Sequence, residues 1–190
     1  MNIVIFGPPG AGKGTQSKFI VKKFNLYQLS TGDLLRNEVK NKTNLGLKIS
    51  SIMNSGQLVS DEIVGNLIEK FVSNNKYKDK TIFDGYPRTL IQAKNLDNLL
   101  KKYDQKINIV LKLSVSLNTI KKRISERQIE EKRSDDNEEI AIKRYETFEK
   151  SSAPVLDYYK QSNLLKEVNG EATITKINSE ISGLIESIKG

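Results

Sequence analysis

Gly7-Pro8-Pro9-Gly10-Ala11-Gly12-Lys13-Gly14-Thr15 is preceded by a short apolar run, Ile3 to Phe6, and followed by an amphipathic segment, Gln16 to Phe24. Strand, glycine-rich loop and helix in that order turn a GxxxxGK pattern into a phosphate cradle. Glycines let backbone N–H groups turn inward around an anion, and the helix N-terminus adds the positive end of its dipole. Lys13 adds a full charge able to follow the β- and γ-phosphates of a nucleotide. A plain glycine-rich turn with a solvated lysine would not require four glycines and two prolines ahead of or beside Lys13 at this spacing. One detail departs from the general pattern: Gly14 follows the lysine, and the hydroxyl comes one place later, on Thr15.

Downstream, short apolar runs alternate with amphipathic ones. The spacing predicts strands at Ile3–Phe6, Tyr27–Leu29, Thr81–Asp84, Ile107–Leu113 and Leu164–Val168. It predicts helices over Lys13–Phe24, Gly32–Lys40, Leu45–Ser55, Asp61–Val72, Thr89–Lys101, Leu117–Gln128 and about Asn137 to Tyr159, with a closing helix through Ile174, Ile177, Ile181, Leu184, Ile185 and Ile188. Such alternation implies an α/β fold of three layers, a central parallel sheet of about five strands covered on both faces. Ligands in these sheets sit beyond the carboxyl ends of the strands. Residues 30–73, with no clear strand beyond Leu29, read as a small helical excursion from the core.

Composition narrows the chemistry. At 190 residues the chain is long enough for one well-buried domain, 1–190. No apolar run approaches the ~20 residues of a membrane span. The first apolar run is only four residues, with no basic region before it, and reads as a strand rather than a signal peptide. With no cysteine, disulfides, thiolate metal sites and a cysteine nucleophile are excluded; with no histidine, an imidazole base is excluded. The net charge of +8 raises nucleic-acid binding as one reading. No nucleic-acid motif accompanies it, and a lysine-rich surface with an arginine-rich pocket for a polyanionic small molecule accounts for it as well. The expectation is a cytoplasmic monomer acting on small-molecule nucleotides, with neither nucleic acid nor membrane as partner.

Two further blocks carry chemistry. In Ser30-Thr31-Gly32-Asp33-Leu34-Leu35-Arg36, Ser30 and Asp33 have capping-box-like spacing, while Arg36 lies one turn in, within reach of a phosphate near the helix start. In Phe83-Asp84-Gly85-Tyr86-Pro87-Arg88-Thr89, Asp84 ends an apolar strand, where an unpaired carboxylate is expensive to bury. Mg²⁺, held directly or through water, is the usual partner in P-loop proteins. Gly85 permits close approach of a ligand to backbone, and Arg88 supplies a planar fork for phosphate.

Taken together, GPPGAGKGTQ at 7–16, STGDLLR at 30–36 and DGYPRT at 84–89 resemble the adenylate kinase family over essentially the whole chain. Gly14 after the lysine is the form this family uses. The resemblance implies reversible Mg²⁺-dependent phosphoryl transfer, ATP + AMP ⇌ 2 ADP. It implies that Gly10, Ala11, Gly12, Lys13, Gly14 and Thr15 hold the donor phosphates, with Arg123 and Arg127. It implies an AMP site of Thr31, Arg36, Gln57, Leu58, Val59, Val64, Gly85, Arg88 and Gln92, with Arg133 and Arg144. Lys13, Arg88, Arg123, Arg133 and Arg144 would be the catalytic cations, and Asp84, with Asp33, would hold Mg²⁺ through its waters. Asp135 and Asp136 match a pair that steadies the nearby arginines, and Asp136 with Glu139 has capping-box spacing.

Only five residues, Gln128 to Lys132, separate Arg127 from Arg133. Long members of the family insert a lid domain there, some with a cysteine-bound zinc. This chain resembles the short form, with 128–137 as a lid loop, 30–73 as the nucleoside-monophosphate-binding part and no structural zinc. The nearest alternative is a kinase of UMP, CMP or another monophosphate on the same fold. A nucleotide-dependent switch or regulatory ATPase would share the P-loop without requiring the GYPR block.

Overall fold

The computed structural model describes residues 1–131 and 138–188. Five strands, β1 (Asn2–Phe6), β2 (Tyr27–Ser30), β3 (Thr81–Asp84), β4 (Ile107–Ser114) and β5 (Leu165–Asn169), form one parallel sheet in the order β2-β3-β1-β4-β5. The helices are α1 (Lys13–Phe24), α2 (Thr31–Lys40), α3 (Asn44–Asn54), α4 (Asp61–Val72), α5 (Leu90–Lys102), α6 (Leu117–Glu131), α7 (Glu138–Gln161) and α8 (Ile174–Ser187).

β1 shows why the sheet needs cover on both sides. Successive side chains point to opposite faces, so Val4 and Phe6 join one core while Ile3 and Ile5 join the other. The first core packs Leu29, Phe83 and Val110 against apolar positions of α2 to α5 and α7; the second packs Ile82, Ile109 and Leu111 against Ile20 of α1 and Ile177, Ile181 and Ile185 of α8. Every residue of β1 is buried. Each such aliphatic side chain contributes about 1.5–3 kcal/mol of burial free energy, so the double cover holds the central strand in place.

β1 begins one residue earlier than its apolar run, at Asn2, a polar residue with no solvent exposure. Its amide is satisfied on both ends. Nδ2 donates to Gln105 Oε1 and to the Lys106 carbonyl, each at 3.2 Å, and Oδ1 accepts from Thr81 N at 3.2 Å. A short 3₁₀ helix, Asn75–Tyr77, was not legible in the periodicity; it sets the Tyr77 ring stacked on Phe71 at 3.9 Å. α6 runs to Glu131, three residues past the predicted end at Gln128, so the first part of the expected 128–137 loop is helical. Ile129, Glu130 and Glu131 contain neither Pro nor Gly to stop it. The rest of that loop, with Arg133, Asp135 and Asp136, lies outside the described residues.

The chain winds from β1 to one side through β3 and β2, and to the other through β4 and β5. The crevice of such a sheet opens at the carboxyl end of the strand where winding reverses, here the end of β1. Gly7, Gly85 and Val115, the first residues beyond β1, β3 and β4, therefore gather at one edge.

Candidate active site

The loop after β1 is closed by Ala11 N donating to the Pro8 carbonyl at 3.1 Å. Gly12 then caps α1 with φ 90°, a left-handed conformation costly for any residue carrying a Cβ. Lys13 is the first residue of α1. Its side chain folds back over the loop: Nζ donates to the carbonyl oxygens of Gly7 at 2.7 Å and Pro8 at 2.9 Å. The residue is partly exposed, but its ammonium end is enclosed, and that burial pushes its pKa down to about 8. Asp84 opposes the shift, while the positive charges of Arg88, Arg144 and Arg127 add to it. Five predicted site residues thus converge electrostatically, drawn from the P-loop, the end of β3, α6 and α7.

Asp84 ends β3 between β1 and β2, in register with Ile5 on one side and Ser30 on the other. It is 8% exposed, and Gln28 Nε2 donates to its Oδ2 at 2.9 Å. Gln28 carried no motif and was not foreseen; only the β2–β3 register brings it there. Among the described residues, Asp84 Oδ1 accepts no hydrogen bond. No group of three or more acidic side chains capable of caging a metal occurs among the described residues. One buried carboxylate with a free oxygen, beside a phosphate loop, fits Mg²⁺ held mainly by water and phosphate rather than by protein. Asp33 fits less well: its Oδ1 accepts from Arg36 Nη2 at 2.5 Å.

Gly85 follows with φ 78°. A Cβ there would lie 3.0 Å from both Arg88 Nη2 and Thr31 Oγ1, so only glycine lets these side chains close over the backbone. Thr31 Oγ1 donates to the Gly85 carbonyl at 2.9 Å, and Arg88 Nε donates to the same oxygen at 2.7 Å. Ser30 caps α2 as its spacing predicts, accepting from Asp33 N at 3.3 Å.

A cleft runs from the P-loop across these groups. Lys13, Arg36, Arg88 and Arg144 bring positive charge to it, and Gln57, Leu58, Val59 and Gly85 line it too. Its apolar wall comes from Leu35 and Tyr86, which the quoted motifs contain without a role, and from Met53 and Phe148, which lie outside any motif. The signal was available on α7: Arg144, Thr147, Phe148 and Ser151 recur at helical spacing and share one face. Thr31, Val64 and Gln92 are buried behind the wall rather than on it.

Arg123 lies on another side of the P-loop. Its Nη2 donates to the Gly170 carbonyl at 2.9 Å and Nη1 to the Ala11 carbonyl at 3.4 Å, bridging the loop to the turn after β5. Arg127, one turn further along α6, joins the charges that act on Lys13. Gly10, Gly14 and Thr15 sit in the loop and first turn of α1, Gly14 and Thr15 exposed there. Among the described residues, no helix is long and apolar enough to cross a membrane.

Residues 5–164 match the family model described as Adenylate kinase. A protein named Adenylate kinase from Pelagibacter ubique (strain HTCC1062) is 44% identical, over 98% of this chain and 100% of its own. One of the same name from Fusobacterium nucleatum subsp. nucleatum is 42% identical, over 95% and 96% respectively. A third, from Caulobacter sp. (strain K31), is 40% identical over 99% of this chain and all of its own. With a P-loop on the central strand of a 2-3-1-4-5 parallel sheet and an arginine-lined cleft beside it, this chain belongs to the adenylate kinase family.

Proposed function

We propose that this chain catalyses reversible Mg²⁺-dependent transfer of the γ-phosphoryl group of ATP to AMP, giving two ADP. The observation that carries the reading is the convergence of the P-loop lysine, Lys13, with Arg36, Arg88 and Arg144 on one cleft. A single nucleotide tail does not require so much fixed charge. A triphosphate and a monophosphate meeting end to end do.

The donor tail lies over Gly10, Ala11, Gly12, Lys13, Gly14 and Thr15, whose backbone N–H groups and helix dipole offset its charge. Lys13 exchanges its two carbonyl partners, Gly7 and Pro8, for phosphate oxygens. Arg123 and Arg127 flank this tail. The acceptor enters the cleft beside Gln57, Leu58, Val59 and Gly85, with Thr31, Val64 and Gln92 backing the wall toward its base, and Arg36 and Arg88 grip its phosphate as planar forks. An anionic oxygen of the AMP phosphate attacks the γ-phosphorus. The bond from that phosphorus to the β,γ-bridging oxygen breaks, and the electron pair leaves with ADP. No proton moves at the nucleophile, which suits a chain with neither histidine nor cysteine. Lys13, Arg88, Arg123 and Arg144, with Arg133 from outside the described residues, oppose the charge spread over the moving group. Asp84, with Asp33 as the weaker second neighbour, would hold Mg²⁺, which would supply charge neutralisation to the phosphates.

Water is the competing nucleophile, so residues 30–73 are the part that closes over the substrates, while most of the expected 128–137 lid loop lies outside the described residues. The protein acts on small-molecule nucleotides in the cytoplasm as a monomer, without nucleic acid or membrane, and without structural zinc.

The test is ADP formation from ATP and Mg²⁺ with AMP, UMP, CMP and GMP offered singly. Turnover with AMP well above the others is the expected result. Preference for a pyrimidine monophosphate would move the substrate, and ATP loss without any acceptor would replace the transferase with an ATPase.

A further inference from the structure

Gln92 is 2% exposed, and its side-chain amide is engaged at both ends. Nε2 donates to Asp61 Oδ1 at 2.7 Å, and Oε1 accepts from Arg88 N at 2.7 Å. Asp61 opens α4, and its other oxygen, Oδ2, accepts from Thr89 Oγ1 at 3.1 Å. Thr89 in turn caps α5, its Oγ1 accepting from Gln92 N at 3.1 Å.

Only one orientation of the Gln92 amide satisfies this network. A carboxylate offers acceptors alone, and a backbone N–H offers a donor alone. Turning the amide over would set Oε1 against Asp61 Oδ1 and Nε2 against Arg88 N–H, two mismatched contacts in a buried place. In the retained orientation one Nε2 hydrogen and one Oε1 lone pair remain, at fixed ends of the group.

We propose that Asp61 is a positioning residue that locks the Gln92 amide in the orientation that accepts a 6-aminopurine and rejects a 6-oxopurine. The inference rests on the reading of Gln92 as a contact of the acceptor base. Adenine presents an amino donor at position 6 beside ring-nitrogen acceptors, which an amide meets with Oε1 and Nε2 respectively. A 6-oxopurine presents an acceptor at position 6, and only the reversed amide meets it. A glutamine free to turn would serve both bases; the pairing to Asp61 makes the second one costly, because it leaves buried groups unsatisfied. Asp61 touches no substrate in this arrangement. Its effect passes through Gln92, and through the Arg88 backbone that the same amide holds.

The experiment compares AMP with IMP, which differs at position 6 of the base, as acceptors from ATP with Mg²⁺, in the unaltered protein, Asp61→Ala and Asp61→Asn. Asp61→Ala should lower the AMP:IMP ratio of kcat/KM about tenfold, the size of one lost orienting hydrogen bond. Its KM for ATP should stay within about twofold of the unaltered protein. Asp61→Asn keeps the shape and one acceptor but can itself turn, so about a threefold fall is expected. If Asp61→Ala does not fold, Asp61→Asn alone decides. A ratio unchanged in the folded variants, or equal rises in KM for ATP and AMP, overturns the proposal while leaving phosphoryl transfer to AMP intact. If the unaltered protein does not turn over AMP, it is the underlying function that fails.

Discussion

Lys13 Nζ donates to the carbonyl oxygen of Gly7 at 2.7 Å, across the loop that the same lysine terminates. The ammonium is buried away from water, and the charges of Arg88, Arg144 and Arg127 add to the loss of charge that burial favours, against the opposing pull of Asp84; its pKa falls to about 8. A phosphate placed there reverses the balance. Binding of ATP at pH 8.5 should therefore take up a proton, read as a dependence of calorimetric binding heat on the ionisation enthalpy of the buffer. No uptake at that pH would show that the free lysine is already fully charged.

The same shift sets a sign for stability. The folded pKa, about 8, lies below the unfolded value of 10.5, so the unfolded chain holds more protons between them. Stability from this group rises with pH through that window, and at neutral pH the buried charge is a cost. Lys13→Met should then cut kcat by about two orders of magnitude or more, the scale of one preorganised charge, while leaving the thermal midpoint at pH 7 equal or higher. Loss of activity accompanied by a lower midpoint would mean that Lys13 is structural.

Arg88 lines the cleft and donates through Nε to the Gly85 carbonyl at 2.7 Å. Arg88→Ala should raise KM for AMP by about tenfold or more, the loss of a charge-assisted contact, and move KM for ATP far less. Steady-state kinetics with each substrate varied in turn gives both numbers. Equal changes would remove Arg88 from the acceptor side.

Gly85→Ala adds a Cβ that meets Arg88 Nη2 and Thr31 Oγ1 at 3.0 Å, on a backbone with φ 78°. The strain costs about 1–3 kcal/mol, and displacement of the two side chains should lower kcat/KM for AMP. Denaturant unfolding and acceptor kinetics check the two effects separately. A variant of unaltered stability and acceptor kinetics would contradict the tight closure over Gly85.

Much of this was legible because it is local. The Gly7–Thr15 loop, the Ser30 cap and the strand before Asp84 each show in a few adjacent residues, and the alternation of apolar runs gave the parallel sheet. What stayed hidden depends on residues distant in sequence. Gln28 meets Asp84 only through strand register, and Asp61 meets Gln92 only because α4 packs on the start of α5. Arg123 was expected at the donor phosphates from its place in the family pattern, but its hold on the Gly170 carbonyl leaves no mark in the sequence around it. The 3₁₀ helix at Asn75–Tyr77 is too short for a period to register.

The central claim is that two nucleotides meet in one cleft and exchange a phosphoryl group with each other rather than with water. The direct measurement is ³¹P NMR of the protein with Mg²⁺ and ADP as the only nucleotide. ATP and AMP growing in equal amounts as ADP declines, with no inorganic phosphate, is the predicted result. Inorganic phosphate appearing in step with ADP loss, or ADP persisting unchanged, would contradict it.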